Sequence, residues 1–412
     1  MNERWTTTLA ILVAMASAQT ALSGGGPPEY EVTAIIEGFQ CGDHLAAVTA
    51  LALNDDGDVA GYTTCGLVQR AFRWTAETGL ELVPMPPQTS ESQALAISGS
   101  KVVGTYSNAE LELGVTGFLY DFETDQFTSL GTLPGGNWSE AHGINGSGQI
   151  TGFWGNNLIG PWQAFIWENG EMIDLGPSIG GADNRAFDIN ENGAITGWWR
   201  EDGGERIAFV WESGQAISLG PIPGGFSSEG AGINIHNQVS GWGLLPDPDG
   251  NGTLTHAFFW DKERMMNLGT LPGFPRGAGT DISDTGTIVG AAWGAGCAAF
   301  IWQNGLLTDL NDLVSPSFNG DITFASGINQ IGQIVAIGHS DDLNATVGLL
   351  LSPIGQGIPG DLDNDGQVGA SDLLILLASW GSCEDCGACA ADLDGNGVVG
   401  ASDLLILLSN WG

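Results

Sequence analysis

Residues 139–152 read SEAHGINGSGQITG, and residues 164–170 read AFIWENG. The first string is an alternating strand ending in Ile144-Asn145, a glycine-bearing turn, and a second short strand closed by Gly152. The second is a strand with an alanine and two aromatics, followed by a turn. Both patterns recur. The first is centred on Asn54, Ser98, Asn145, Asn190, Asn234, Ser283 and Asn329, with steps of 44 to 49 residues. Its closing glycine returns as Gly61, Gly104, Gly152, Gly197, Gly241 and Gly290, and the seventh copy has Ala336 there. The aromatic end of the second pattern returns as Trp74, Tyr120, Trp167, Trp211, Trp260 and Trp302, while a strand over 346–351 fills that place without an aromatic in the last copy. A further strand leads to Leu-Gly exits such as Leu130-Gly131 and Leu175-Gly176. An early strand, Tyr30 to Ile36, supplies the member missing at the start.

Seven units of about 46 residues, each with about four short strands, have the period of propeller blades. The fold class expected is therefore mainly β: a seven-bladed β-propeller-like repeat domain over 30–352, with a β-solenoid or two sandwiches as other ways to arrange the strands. Asn-x-x-Gly turns suit the tight connections because Asn and Gly accept positive φ. A closed ring also leaves few exposed strand edges. The recurrent Trp and Phe are expected to pack between blades rather than to stack on a ligand.

The chain has 412 residues, 65 of them Gly, and 42% hydrophobic residues, enough for a core. It carries 48 acids against 10 Lys and Arg, a formal charge of −38. Residues 353–412 hold nine of the acids and no Lys or Arg, so the remainder holds 48 − 9 = 39 acids against 10 bases. Such a surface repels nucleic acid and attracts divalent cations. Arg4, the apolar stretch Leu9 to Ala16 and the small residues Ala16-Ser17-Ala18 have the layout of a secretory signal peptide, expected over 1–23. The protein is thus expected to be secreted and extracellular, with no membrane insertion. Export permits disulfides. Cys41 and Cys65 flank one hairpin and are a candidate pair. Cys383, Cys386 and Cys389 form C-x2-C-x2-C, which reads as a disulfide within the triplet or, less well, as part of a zinc site lacking a fourth ligand.

Strings such as 164–170 and 139–145 resemble the HAF-repeat family of extracellular bacterial proteins, over roughly 30–352. The full His-Ala-Phe start survives only at His256-Ala257-Phe258; Ala71-Phe72, Ala164-Phe165, Ala208-Phe209 and Ala299-Phe300 keep two of the three. The resemblance implies export and a repeat fold, and no enzymatic activity.

After a linker at 353–360, residues 361–372 read DLDNDGQVGASD and residues 392–403 read DLDGNGVVGASD. An EF-hand-type loop places oxygen ligands at positions 1, 3, 5, 7, 9 and 12, with Gly at 6. The first loop offers Asp361, Asp363, Asp365, the Gln367 carbonyl and Asp372. The second offers Asp392, Asp394, Asn396, the Val398 carbonyl and Asp403. Position 9 is glycine in both, where water would serve. Two such loops in tandem, each followed by the same apolar run (Leu373–Leu377 and Leu404–Leu408), point to two bound calcium ions. The runs are expected to pack together about a pseudo-twofold axis, and folding is expected to need the metal.

Paired loop–helix units without a preceding helix resemble type I dockerins, here over residues 359–412, giving a small all-α calcium-binding module at 361–412. The resemblance implies docking onto a cohesin-like module or cell-surface scaffold. The family's partner-reading positions fall on Ala370, Ser371, Ala401 and Ser402, whose near identity in the two halves would permit docking in two orientations. A weaker calcium candidate, Asp247-Pro-Asp249-Gly-Asn251-Gly252, has only the first half of a loop, with Phe258 at position 12, and reads better as a surface turn. No G-x-S-x-G, H-E-x-x-H or P-loop string occurs, and the five His hold no repeated ligand spacing. No catalytic residue is therefore singled out. The leading reading is a non-catalytic binding or structural protein. The alternative is a tethered glycoside hydrolase acting on polysaccharide, with a carboxylate pair in the ring; such a pair would face a solvent-filled centre.

Overall fold

The computed structural model describes residues 29–35, 40–41, 44–87, 89–108, 114–156, 160–250, 252–315, 318–354, 360, 362, 368–382, 391, 393, 398–409 and 411. The expected signal peptide and the triplet Cys383, Cys386 and Cys389 lie outside them. The chain divides into two compact units, Tyr30–Pro353 and a second containing Ile354–Gly412. No helix among the described residues is long and apolar enough to cross a membrane.

The first unit is a seven-bladed β-propeller. Among the described residues, seven four-stranded antiparallel sheets follow one another along the chain. The innermost strands, blade 1 to blade 7, are Ala47–Leu53, Ser92–Ser98, Trp138–Ile144, Asp183–Ile189, Glu229–Ile233, Arg276–Ile282 and Gly320–Ile328. The early strand, Glu29–Ile35, joins the far side of blade 7 as its outermost strand, beside Ala345–Ile354. Both ends of the repeat region thus share one sheet, which closes the ring.

The recurrent Ala-Phe pair explains how the blades fit. Successive residues of a strand face opposite sides of the sheet. In blade 4, Ala208 joins the apolar cluster shared with blade 5, and Phe209 joins the cluster shared with blade 3. These interfaces therefore receive a small side chain from one blade and a large one from the next: Ala164 with Phe209, Ala208 with Phe258, Ala257 with Phe300. Phe72, Phe118, Phe165, Phe209, Phe258 and Phe300 are fully buried this way. The expected inter-blade role of these aromatics is what the packing shows.

One expectation needs correction. The repeat glycine does not close the second strand. Val59–Cys65, Lys101–Asn108 and Val239–Pro246 all run past it. The glycine is needed for space instead. Each innermost strand has a bulge, between Ala50 and Ala52 in blade 1 and at the matching place in the others. The bulge aims a carbonyl at the facing residue of the second strand. A Cβ on Gly61, Gly104, Gly152, Gly197, Gly241 or Gly290 would lie 1.8 to 2.1 Å from that oxygen. Blade 7, with Ala336, carries a second bulge between Ile322 and Phe324.

In the terminal unit, helices Ala370–Ala378 and Ala401–Ser409 form a symmetric core. Val368, Leu376, Val399 and Leu407 are buried, with Leu362, Leu373, Leu393 and Leu404 packed against them. These eight residues pair off 31 residues apart, as the expected pseudo-twofold requires; Ala391, also buried there, has Gly360 at the matching position. Only one face of each apolar run is used. Leu374 and Leu405 are each 69% exposed, and Leu377 and Leu408 each 48%.

Candidate functional sites in the ring and the terminal module

The recurrent asparagines form a chain of links around one end of the ring. Asn54 donates from Nδ2 to the Gly99 carbonyl at 3.2 Å, Asn145 to Asn190 at 3.0 Å, Asn190 to Asn234 at 2.7 Å, Asn234 to Ser283 at 3.0 Å, and Asn329 back to Asn54 at 3.1 Å. Each side-chain oxygen meanwhile accepts from the backbone N–H four residues on, fixing its own turn. The glycines of these turns, Gly57, Gly148, Gly193 and Gly332, have φ near +80° as expected. Where the repeat has Ser98 or Ser283, the shorter side chain makes no such link among the described residues. At the opposite end, Ser92, Ser139, Asn184 and Ser228 each accept from a backbone N–H of the preceding blade, at 2.8 to 3.0 Å.

The ring encloses a cavity of about 400 Å³ lined by bulge residues such as Leu51, Leu95, His142 and Phe187. Six acidic residues also line it: Asp55, Asp56, Glu191 and Asp284 from the turns that follow the innermost strands, and, on the strands themselves, Asp188 of blade 4 and Asp281 of blade 6. Both follow the bulge, where the other blades have Ala52, Ala96, Gly143, Gly232 and Gly327. Asp188 accepts from Ile189 N at 2.8 Å and, with its other oxygen, from Ile233 N of blade 5 at 2.9 Å. Asp281 accepts from Ile282 N at 2.7 Å and from Ile328 N of blade 7 at 2.8 Å. Each is thus a staple between neighbouring blades. Burial pushes the Asp188 carboxyl above the ordinary carboxylate range, against the pull of its two N–H donors. Burial and then the charge of Asp188 push Asp281 up as well. Reading the sequence strand by strand did not select this pair. Aligning the seven repeats would have, because an acid replaces a small residue in only two copies.

Near the start of the innermost strands, Glu140 accepts from Trp138 Nε1 at 2.8 Å and meets His142 Nε2 at 3.1 Å. Burial works to raise this carboxyl, but the bonds from His142 and Trp138 and the charges of His142 and Arg185 outweigh it and hold it low. Cys65 is disulfide-bonded; its candidate partner, Cys41, has a side chain outside the described residues. Cys297 is an exposed free thiol. The segment from Asp247 is a tight hairpin turn, with Asp247 N bonded to the Gly252 carbonyl and Gly250 N to the Asp247 carbonyl. No group of three or more His, Cys, Asp or Glu placed to hold a metal occurs among the described residues.

In the terminal unit, loop residues Asp361, Asp363, Asp365, Gln367, Asp392, Asp394 and Asn396 lie outside the described residues. Val398 opens a two-residue strand paired with Gly381–Ser382. The two closing aspartates are described. Asp372 accepts from Leu362 N and Gly369 N, both at 2.7 Å. Asp403 accepts from Leu393 N and Gly400 N, also both at 2.7 Å. Each carboxylate clasps the two ends of its loop at the N-terminal turn of a helix, where the backbone favours negative charge. Both are fully buried, and residues 353–412 contain no Lys, Arg or His to neutralise them. Buried carboxylates in an all-acidic module fit a bound cation. Ala370, Ser371, Ala401 and Ser402 are exposed. They share a helical stripe with the exposed Leu374 and Leu377 in one half, and Leu405 and Leu408 in the other.

Residues 359–410 match the family model of the Dockerin type I domain. No curated protein matches the chain in sequence. Among solved structures it is similar to an acylaminoacyl peptidase of Pyrococcus horikoshii (10% identity, 72% of this chain and 49% of that one, TM-score 0.47). It is also similar to a streptogramin B lyase (14%, 78% and 97%, 0.47) and to an oligogalacturonate lyase of Vibrio parahaemolyticus (9%, 79% and 97%, 0.46). The chain spans about half the length of the peptidase.

Proposed function

We propose that this chain, a β-propeller ending in a type I dockerin domain, is an exported, non-catalytic binding or structural protein tethered by calcium-dependent docking to a cohesin-like module on a scaffold or cell surface. The family match over 359–410 carries the reading. Asp361, Asp363, Asp365, Gln367 and Asp372 hold one calcium ion, and Asp392, Asp394, Asn396, Val398 and Asp403 the other. The metal supplies the positive charge that this module lacks. Ala370 and Ser371, or Ala401 and Ser402, meet the partner together with the exposed leucines beside them.

The non-catalytic part draws support from the two acids on the cavity's innermost strands, Asp188 and Asp281. A nucleophile or general acid must bring its oxygen to the substrate. Both oxygens of Asp188 and of Asp281 are instead bonded to backbone N–H groups that join blades. Cohesin-type modules immobilised on resin should capture the full chain in millimolar calcium and release it in chelator. Capture that ignores calcium would overturn the docking reading. Release of sugar from polysaccharides by the purified chain would instead favour the tethered glycoside hydrolase.

A further inference from the structure

Three of the ten Lys and Arg residues gather around one ring. The guanidinium carbons of Arg185, Arg200 and Arg206 lie 5.2, 5.9 and 4.5 Å from the ring centre of Trp198. Arg200 is paired with Asp183 and Arg206 with Glu229, each at 2.7 Å. Arg185 differs. Among the described residues it forms no ion pair and donates no hydrogen bond, and its Nε is buried without a partner. Its guanidinium rests instead on Phe153 at 4.8 Å and Trp162 at 4.6 Å. In a chain with 48 acids, an arginine without a carboxylate does not reflect scarcity. The nearby acids are engaged elsewhere: Asp183 with Arg200, Glu140 with Trp138 and His142, Glu229 with Arg206. The rings hold the guanidinium plane in place, leaving an oriented fork matched to a planar oxyanion.

Arg185 also has a neighbouring cavity. Counting back five residues from the repeat Asn or Ser, blades 2 to 5 present Gln93, Glu140, Arg185 and Glu229 in turn. This arc lies at the end of the ring opposite the Asn turns. Beside its first two members is a cavity of about 200 Å³ whose lining includes Gln69, Glu91, Gln93, Ser107, Trp138 and Glu140. The Trp138 ring meets Trp162 at 5.8 Å, and Trp162 is one of the rings beneath Arg185. Amides, hydroxyls, an indole and the carboxylates of Glu91 and Glu140, which accept from hydroxyls, suit the hydroxyls and faces of a neutral part of a saccharide, whereas the fork suits a carboxylate.

We propose that this arc binds an acidic saccharide, with its carboxylate on Arg185 and its hydroxyls in the cavity at Gln93 and Glu140. The inference deepens the reading of the ring as a binding module and rests on it. The test is calorimetry of the calcium-loaded full chain with β-1,4-linked triglucuronate, cellotriose and acetate. Triglucuronate should bind at least about tenfold more tightly than cellotriose, and acetate far more weakly than either, as a charge-assisted fork predicts. Arg185→Gln should weaken triglucuronate about tenfold or more and leave cellotriose unchanged. If that variant fails to fold, two measurements stand in for it: Gln93→Ala should weaken both saccharides, and added salt should weaken only triglucuronate for the unmodified chain. Equal affinity for the two saccharides, acetate binding as tightly as triglucuronate, or no binding at all overturns the site. Lost binding with calcium-dependent capture intact overturns the site alone. Cleavage of triglucuronate overturns the non-catalytic reading and leaves the site standing.

Discussion

The ring and the terminal module use the same device under different charge conditions. In both, an aspartate recurs in the repeats and each of its oxygens accepts a backbone N–H from a different segment. Asp188 and Asp281 join one blade to the next. Asp372 and Asp403 join the two ends of one loop. The ring places its pair in a cavity whose described lining holds four further acids and no Lys or Arg, and burial, with the charge of Asp188 acting on Asp281, raises both carboxyls. The module's sequence, 353–412, adds seven further acids to its pair and no base, which fits the proposed metal. A carboxylate staple shielded from water needs its charge offset: in the ring the proton affinity of the pair rises, and in the module the proposed calcium would supply the positive charge.

The largest effect that would break this comparison is metal removal. A chelator should abolish the helical signal of residues 370–409 in circular dichroism and leave the β signal of the ring. Calorimetry of calcium binding should give about two ions per chain for two loops. Asp372→Ala or Asp403→Ala should each cost one ion and strand two backbone N–H groups, at about 1–3 kcal/mol apiece. A ring that melted along with the module in chelator would mean that the ring also depends on metal.

Next in size is the Asn chain. Asn190 donates to Asn234 O and Asn237 Oδ1 and accepts from Asn192 N and Ala194 N. Asn190→Ala should lower stability by about 2–4 kcal/mol in denaturant unfolding, since several buried groups lose partners. Ser283→Ala should cost less, about 1 kcal/mol, because it loses only the contacts of its own turn, with Thr287 N at 3.3 Å and Thr285 Oγ1 at 2.9 Å, and no link between blades. Equal costs would show that the links carry no stability.

A smaller effect separates the two kinds of staple by pH. The Asp281 carboxyl has a raised folded pKa, so between the ordinary value near 3.9 and its own the folded state binds more protons than the unfolded. Stability from this group is greatest at low pH and falls as pH rises through that window. Asp281→Asn removes the titration and should flatten this fall, as read by melting temperature against pH. Glu140 has the opposite sign: its lowered pKa contributes stability that is lost as pH falls through the folded value. An unchanged pH profile in Asp281→Asn would remove the proton from the comparison. The smallest effect on folding belongs to Leu374→Ser with Leu405→Ser. Exposed on the helices, the pair should change stability by within about 0.5 kcal/mol while weakening capture by a cohesin-type module.

Much of this was legible in the sequence because local chemistry and tertiary role coincide. Asn145 and Gly148 signal a turn wherever they stand, and the same Asn also links blades. The Ala-Phe pair predicts a strand, and its alternation supplies the small and large sides of each interface. The loop pattern DLDNDGQVGASD states a ligand order. The remaining features depend on through-space relations that no single strand carries. Gly61 looked like a strand end because its need for space comes from Thr49 O across the sheet. Asp188, Asp281 and Arg185 sit at repeat positions where other copies are small or differently charged, so they stand out only when the blades are superimposed.

The serines at 98 and 283 have a mechanical consequence. Asn links run unbroken from blade 3 to blade 6 and from blade 7 through blade 1 to blade 2. Between blades 6 and 7 the Asp281 staple bridges the gap, but between blades 2 and 3 no comparable staple is found at that end among the described residues. The molecule is in this sense a horseshoe held shut, with its latch between blades 2 and 3 and not at the sheet where its two chain ends meet. Pulled or heated, it should part first at the latch, and proteases should find their first cut in the Leu130–Asn137 connection.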